Sequence, residues 1–124
     1  CGMVWEHETG TQTVWPLQNR HSQPDRYYSI DHKDMQEAFR IMDSSGSRLL
    51  AFYHSHPQGK SDPSEADMEG ALNVGVHYLI SYPWDRSTEE PVLPGEPDKK
   101  VWRLSAWDCI EMGILVQDEI EVVK

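Results

Sequence analysis

The chain has 124 residues, enough for one domain with a real core and too few for a second. Its 21 acidic residues outnumber 11 basic ones, for a net charge of −10 with no basic cluster, which argues against nucleic-acid and anionic-membrane partners. Hydrophobic residues at 38%, with five Trp and five Tyr, suit a folded globule, and no apolar run reaches membrane-spanning length.

In chain order, Gly2–Trp5 and Thr11–Leu17 read as a hairpin around Glu8, Thr9 and Gly10, with Val14 and Trp15 as apolar members. Residues Asn19 to Arg26 form a polar connection, and Tyr27–Ile30 a short strand. Asp31 is placed to cap a helix over HKDMQEAFRIM, in which Met35, Ala38, Phe39 and Met42 share one face. The helix ends at Ser44, Ser45 and Gly46. Arg48–Tyr53 is an apolar run of strand length, expected at the sheet centre and buried on both sides. A second helix starts near Ser64, with Met68, Ala71 and Leu72 as its apolar face. His77–Tyr82, Val101–Ala106 and Ile114–Val123 read as strands, the last alternating at Ile120 and Val122. Four prolines and several charges between Pro83 and Lys100 predict a long exposed loop over 83–100. The fold class is α/β in the α+β sense: a single mixed sheet flanked by helices.

Cys1 and Cys109 stand far apart and in no CxxC arrangement. This suits free thiols in a reducing cytoplasm, although a single bridge is open too. No signal-peptide pattern opens the chain. It starts at Cys1 instead of Met and runs straight into an apolar strand, the expectation being an N-terminally trimmed domain.

Chemistry concentrates in HSHPQGKSDPSEAD, residues 54–67. His54 and His56 close the strand of Arg48–Tyr53, and residues i and i+2 of a strand share a face, with Cα atoms roughly 6.5 Å apart. Two imidazoles so placed can converge on one ion. Pro57 stops the strand, Gly59, Asp62 and Pro63 make a turn, and Asp67 falls in the first turn of the next helix. Two His and one carboxylate, with a fourth position open, is the composition of a catalytic zinc site more than of a closed structural one. The plainer alternative stands beside it. An HxH pair is common by itself, and Ser64-x-x-Asp67 has the form of a capping box. His7, His21, His32 and His77 have no partner at ligand spacing.

The stretch resembles the signature of the JAMM (MPN+) metallopeptidases: His-Ser-His-Pro, a loop, then Pro-Ser-x-x-Asp. CGMVW is similar to the first strand of the family's bacterial branch, Asn19 to a family position after the second strand, and HYLISYP to the strand after the zinc helix. The resemblance implies the JAMM/MPN (cytidine-deaminase-like) fold over 1–124. It implies Zn2+ held by His54, His56 and Asp67, with Ser64 as the hydroxyl supporting a tetrahedral oxyanion. It further implies hydrolysis of a peptide or isopeptide bond at the C-terminus of a ubiquitin-like or sulfur-carrier protein. The family's general-base glutamate stands two residues before the Cys-Gly of the first strand, here ahead of Cys1, and the family's first helix would precede it. Glu6 and Glu8 lie too far along the strand to replace that base. Two other classes fit the fold: a non-catalytic MPN scaffold, whose members typically lose the zinc ligands kept here, and a JAMM peptidase of phage-tail or cell-wall substrates.

Overall fold

A computed structural model describes residues 1–85 and 100–119. Among the described residues, six strands and two helices follow one another as β1 (Gly2–His7), β2 (Gln12–Pro16), α1 (His32–Ser44), β3 (Ser47–Ser55), α2 (Glu65–Glu69), β4 (His77–Asp85), β5 (Lys100–Glu111) and β6 (Ile114–Asp118). They form one mixed sheet in the order β2-β1-β3-β4-β5-β6, with β3 and β4 parallel and every other pair antiparallel. The α+β architecture and the central place of β3 agree with the sequence.

The sheet has two unlike faces, traced by two rows of paired residues. Trp15, Met3, Phe52, Tyr78 and Trp107 lie side by side on one face. Both helices cover it: Ala38 and Met42 of α1 pack with Met3 and Trp5, while Met68 of α2 and Ala71 beyond it join Tyr78, Ile80, Trp107 and Cys109. Phe52 touches both groups and joins them into a continuous core. On the opposite face run Val14, Val4, Ala51, His77, Asp108 and Val116. Val14, Trp102, Leu104 and Val116 are exposed. Within β3 only Ala51 and His54 are fully buried, so the strand is not buried throughout on both sides as its apolar run predicts.

Helix α1 begins as expected, the Asp31 carboxylate accepting from the Lys33 amide at 2.8 Å. Tyr27–Ile30 is a correction: it forms no strand. Two of its backbone groups are held by the Asn19 side chain, and others by the Gln23 carbonyl and the Arg20 amide. Asn19 Nδ2 donates to the Tyr27 carbonyl at 2.9 Å, and Asn19 Oδ1 accepts from the Ser29 amide at 3.0 Å. Backbone groups taken up locally in this way are not offered to a neighbouring strand. The second helix is also shorter than its pattern suggests. It stops at Glu69 with Gly70 as its C-cap, so Ala71 reaches the core from beyond the helix and Leu72 is 58% exposed. Of the predicted 83–100 loop, 83–85 and 100 extend β4 and β5, and 86–99 lies outside the described residues. So does the expected alternation at Ile120 and Val122.

Gly2 sits where β1 passes beside the functional end of β3. A Cβ there would lie 2.5 Å from the Trp15 carbonyl oxygen and against the Tyr53 hydroxyl. The carbonyl belongs to the β1–β2 ladder and cannot step aside. Gly2→Ala is therefore expected to destabilise the protein by about 1–3 kcal/mol, the usual cost of overpacking. Pairing it with Tyr53→Phe should recover little, because the carbonyl clash remains. Thermal melts of both variants check this.

Candidate metal centre

The site stands at the carboxyl end of β3, where its parallel pairing with β4 stops at Ser55 and Ser81. His54 is inside β3, opposite Ile80 of β4, and its ring belongs to the helix-covered face. His56 lies just beyond the strand, where its amide extends the ladder by one bond to the Ser81 carbonyl at 2.7 Å. A turn follows at once: the Gly59 amide bonds back to the His56 carbonyl at 3.0 Å, and Gly59 takes φ +94°, which a side chain would strain. The loop is then tied to the sheet. Ser105 Oγ donates to the Ser61 carbonyl at 2.7 Å and itself accepts from the indole N–H of Trp107.

Helix α2 opens with the capping box that the sequence suggests. Ser64 Oγ accepts from the Asp67 amide at 3.1 Å, and the Asp67 carboxylate accepts from the Ser64 amide at 2.8 Å. This pair turns Asp67 back toward the strand end. The three side chains converge: His54 Nε2 to His56 Nε2 is 3.1 Å, His54 Nε2 to Asp67 Oδ1 is 3.1 Å, and His56 Nε2 to Asp67 Oδ2 is 2.9 Å. Their side chains are only 5%, 14% and 9% exposed, so little water reaches them.

The hydrogen bonding around His56 decides what this convergence means. Its Nδ1 lies 2.8 Å from the Lys60 carbonyl, which can only accept, so Nδ1 carries the proton. In neutral imidazole Nε2 then holds a bare lone pair, directed at a carboxylate oxygen and a second imidazole. His56 Nε2 and the Asp67 carboxylate, 2.9 Å apart, are two acceptors facing each other and need a proton or a cation between them. The separations suit a cation: bonds of 2.0–2.1 Å in tetrahedral geometry place neighbouring ligand atoms about 3.3 Å apart. His54, His56 and Asp67 could thus hold a metal ion.

The charge states carry the same signature. Burial works to raise the Asp67 pKa, but the hydrogen bonds of His54, His56 and the Ser64 amide outweigh it and hold the carboxyl well below the usual range. His56 is raised above its ordinary value, chiefly by its hydrogen bond to Asp67 and against the effect of burial. Tyr28 stacks on the His54 ring with centroids 4.5 Å apart and planes 26° from parallel. Its phenol is pushed up to about 12, by burial first and by the Asp67 charge second.

Glu6 and Glu8 stay away from this centre. Strand β1 runs antiparallel to β3, pairing Gly2 with Tyr53 beside the site and Glu6 with Arg48 at the other end, where Arg48 bonds the Glu6 carboxylate at 2.6 Å. Among the described residues, the rings of His7, His21 and His32 bond or stack locally, with Thr9, with Gln23 and Tyr27, and with Gln36. His77 is another correction. Pairing of β4 with β5 brings its Nδ1 within 2.5 Å of Asp108 Oδ1, and Asp118 Oδ2 lies 4.0 Å away. These partners are 31 and 41 residues distant, so ligand spacing along the chain could not reveal them.

Sequence reasoning passed over Tyr28 and the Lys60 carbonyl. The aromatic pair Tyr27-Tyr28 was a visible signal for the first. The second is a backbone group, which leaves none.

Comparison with known proteins fits this geometry. Residues 1–104 match the family model described as prokaryotic homologs of the JAB domain. A desampylase of Haloferax volcanii is 34% identical over 91 residues, covering 71% of this chain and 65% of that protein. A Thermus thermophilus protein described as "Probable TtuB-protein conjugate cleaving protease" is 35% identical over 77 residues, covering 62% of this chain and 51% of that one. The chain thus spans about half to two thirds of these relatives. The solution structure of a Desulfitobacterium hafniense protein superposes with a TM-score of 0.66 at 25% identity, over 98% of this chain and 75% of that one. With its site-bearing strands and α2 all inside the matched residues, the chain belongs to the prokaryotic homologs of the JAB domain.

Proposed function

We propose that this chain is the core of a zinc-dependent hydrolase that cleaves a peptide or isopeptide bond at the C-terminus of a ubiquitin-like or sulfur-carrier protein. One observation carries the metal: the bare Nε2 of His56, fixed by the Lys60 carbonyl, aimed at Asp67 and His54. The names of the two relatives, a desampylase and a conjugate-cleaving protease, support the substrate class.

His54, His56 and Asp67 would hold the ion. When bound, zinc supplies Lewis acidity, which eases ionisation of water near neutral pH and polarises a carbonyl. The rest falls to the protein's own groups. The Lys60 carbonyl keeps the His56 proton on Nδ1, so the ring presents an unprotonated nitrogen at Nε2. Asp67 spends both carboxylate oxygens within the centre, which leaves it poorly placed to take a proton from water as well. Ser64 is exposed, and its Oγ accepts from the Asp67 amide, leaving the hydroxyl proton to donate to an oxyanion. Hydrolysis also needs a proton acceptor. The register excludes Glu6 and Glu8, and the glutamate implied two residues ahead of Cys1 would lie at the Gly2 end of β1, beside the site.

Two predictions follow from these roles. His54→Ala, His56→Ala and Asp67→Ala are each expected to abolish the one zinc per chain of the purified protein. Elemental analysis showing unchanged zinc in all three contradicts this. Ser64→Ala, in a chain carrying the upstream glutamate, is expected to keep zinc and lose about 10²–10³-fold in turnover on a ubiquitin-like protein fused through its C-terminal glycines. If Ser64 serves only as a helix cap, turnover stays nearly intact and about 1 kcal/mol of stability is lost.

A further inference from the structure

The two histidines of the centre are held by different means. His56 is oriented through its far nitrogen by the Lys60 carbonyl. For His54, no such bond to Nδ1 is seen among the described residues, and its ring instead lies against that of Tyr28. The loop bearing Tyr28 is built to hold this place. Asn19 Nδ2 donates to the carbonyl of Tyr27, and Asn19 Oδ1 accepts from the amide of Ser29, so the backbone is clamped on both sides of the ring. The Arg20 amide adds a bond to the Ser29 carbonyl at 2.8 Å, and the Arg20 guanidinium pairs with Asp34 of α1 at 3.1 Å, which fixes the loop to the helix. This network also explains why the loop is not a strand.

We propose that Tyr28 is a positioning residue of the centre: its ring fixes the plane of the His54 imidazole, so that Nε2 stays aimed at the point shared with His56 and Asp67. An imidazole on a strand end has two rotatable bonds, and burial of one edge does not choose between ring planes. A flat partner at stacking distance does. Tyr28 thus does for His54 what a hydrogen-bond acceptor does for the far nitrogen of most metal-binding histidines. The working part is the ring face, not the hydroxyl. Asn19 acts one step further out, by holding Tyr28.

This inference rests on the proposed metal centre, and cobalt distinguishes the two. The protein is stripped with chelator and titrated with Co2+, reading the visible absorption of the bound ion and its affinity against a competing chelator. The parent is expected to take one Co2+ with the spectrum of a four-coordinate site. Tyr28→Phe, which keeps the ring, should match it in both readouts. Tyr28→Leu, which keeps apolar bulk without a flat face, should bind about 10–100-fold more weakly with a shifted spectrum. Asn19→Ala keeps the ring and releases its backbone, and should change spectrum and affinity in the same direction by less. A merely structural role for Tyr28 would lower the melting temperature of the metal-free protein and leave the cobalt spectrum alone. Parent-like spectrum and affinity in both Tyr28→Leu and Asn19→Ala overturns the positioning role. A parent that takes up no Co2+ overturns the metal centre itself, and this inference with it.

Discussion

A carboxylate and the lone pair of His56, with a second imidazole nitrogen brought within about 3 Å of both in a spot nearly closed to water, are the constraint on which this structure turns. Burying an ionised carboxylate costs several kcal/mol unless positive charge or strong donors meet it. The His56 lone pair does not help, because the Lys60 carbonyl holds the proton of that ring on the far nitrogen. The centre is therefore consistent only with an added positive charge. A proton shared between His56 and Asp67 supplies it, in keeping with the raised His56 and the depressed Asp67, and a bound cation would supply it as well.

The fold delivers this arrangement through the single connection between its two parallel strands. Parallel strands cannot be joined by a tight turn, so the chain between β3 and β4 must travel, and here it spends the distance on a turn, a tethered loop and one short helix. Ligand sites of sheets with parallel strands collect outside the carboxyl ends of those strands, where such connections begin. His54 and His56 take that position from the sheet side, and Asp67 comes back to it from the first turn of α2. The capping box serves twice, starting the helix and turning the carboxylate inward. The Ser61–Ser105–Trp107 chain of hydrogen bonds keeps the intervening loop on the sheet, so the two halves of the centre share one rigid support.

Much of this was legible in the sequence because it depends on short-range rules. Strand parity puts His54 and its core neighbours on one face, and the Ser64–Asp67 spacing announces both the cap and the return of the carboxylate. The Met35, Ala38, Phe39 and Met42 periodicity gives α1 and its buried face. What escaped depends on partners remote in the chain. Tyr27–Ile30 has the composition of a strand, but Asn19 takes its backbone groups eight and ten residues away, and composition carries no trace of that competition. Leu72 fits a helical face on paper, yet the helix has ended at Gly70 before reaching it. The pairing of His77 with Asp108 exists only once β4 and β5 are in register.

On the reading proposed above, the end of β3 and the start of α2 form a seat for one metal ion. Crystals grown with zinc, with anomalous diffraction recorded on both sides of the zinc absorption edge, test it most directly. One strong peak is expected, about 2.0–2.2 Å from Nε2 of His54, Nε2 of His56 and a carboxylate oxygen of Asp67. A strong peak at His77, Asp108 and Asp118 with none between the two histidines, or no peak at all, would contradict it.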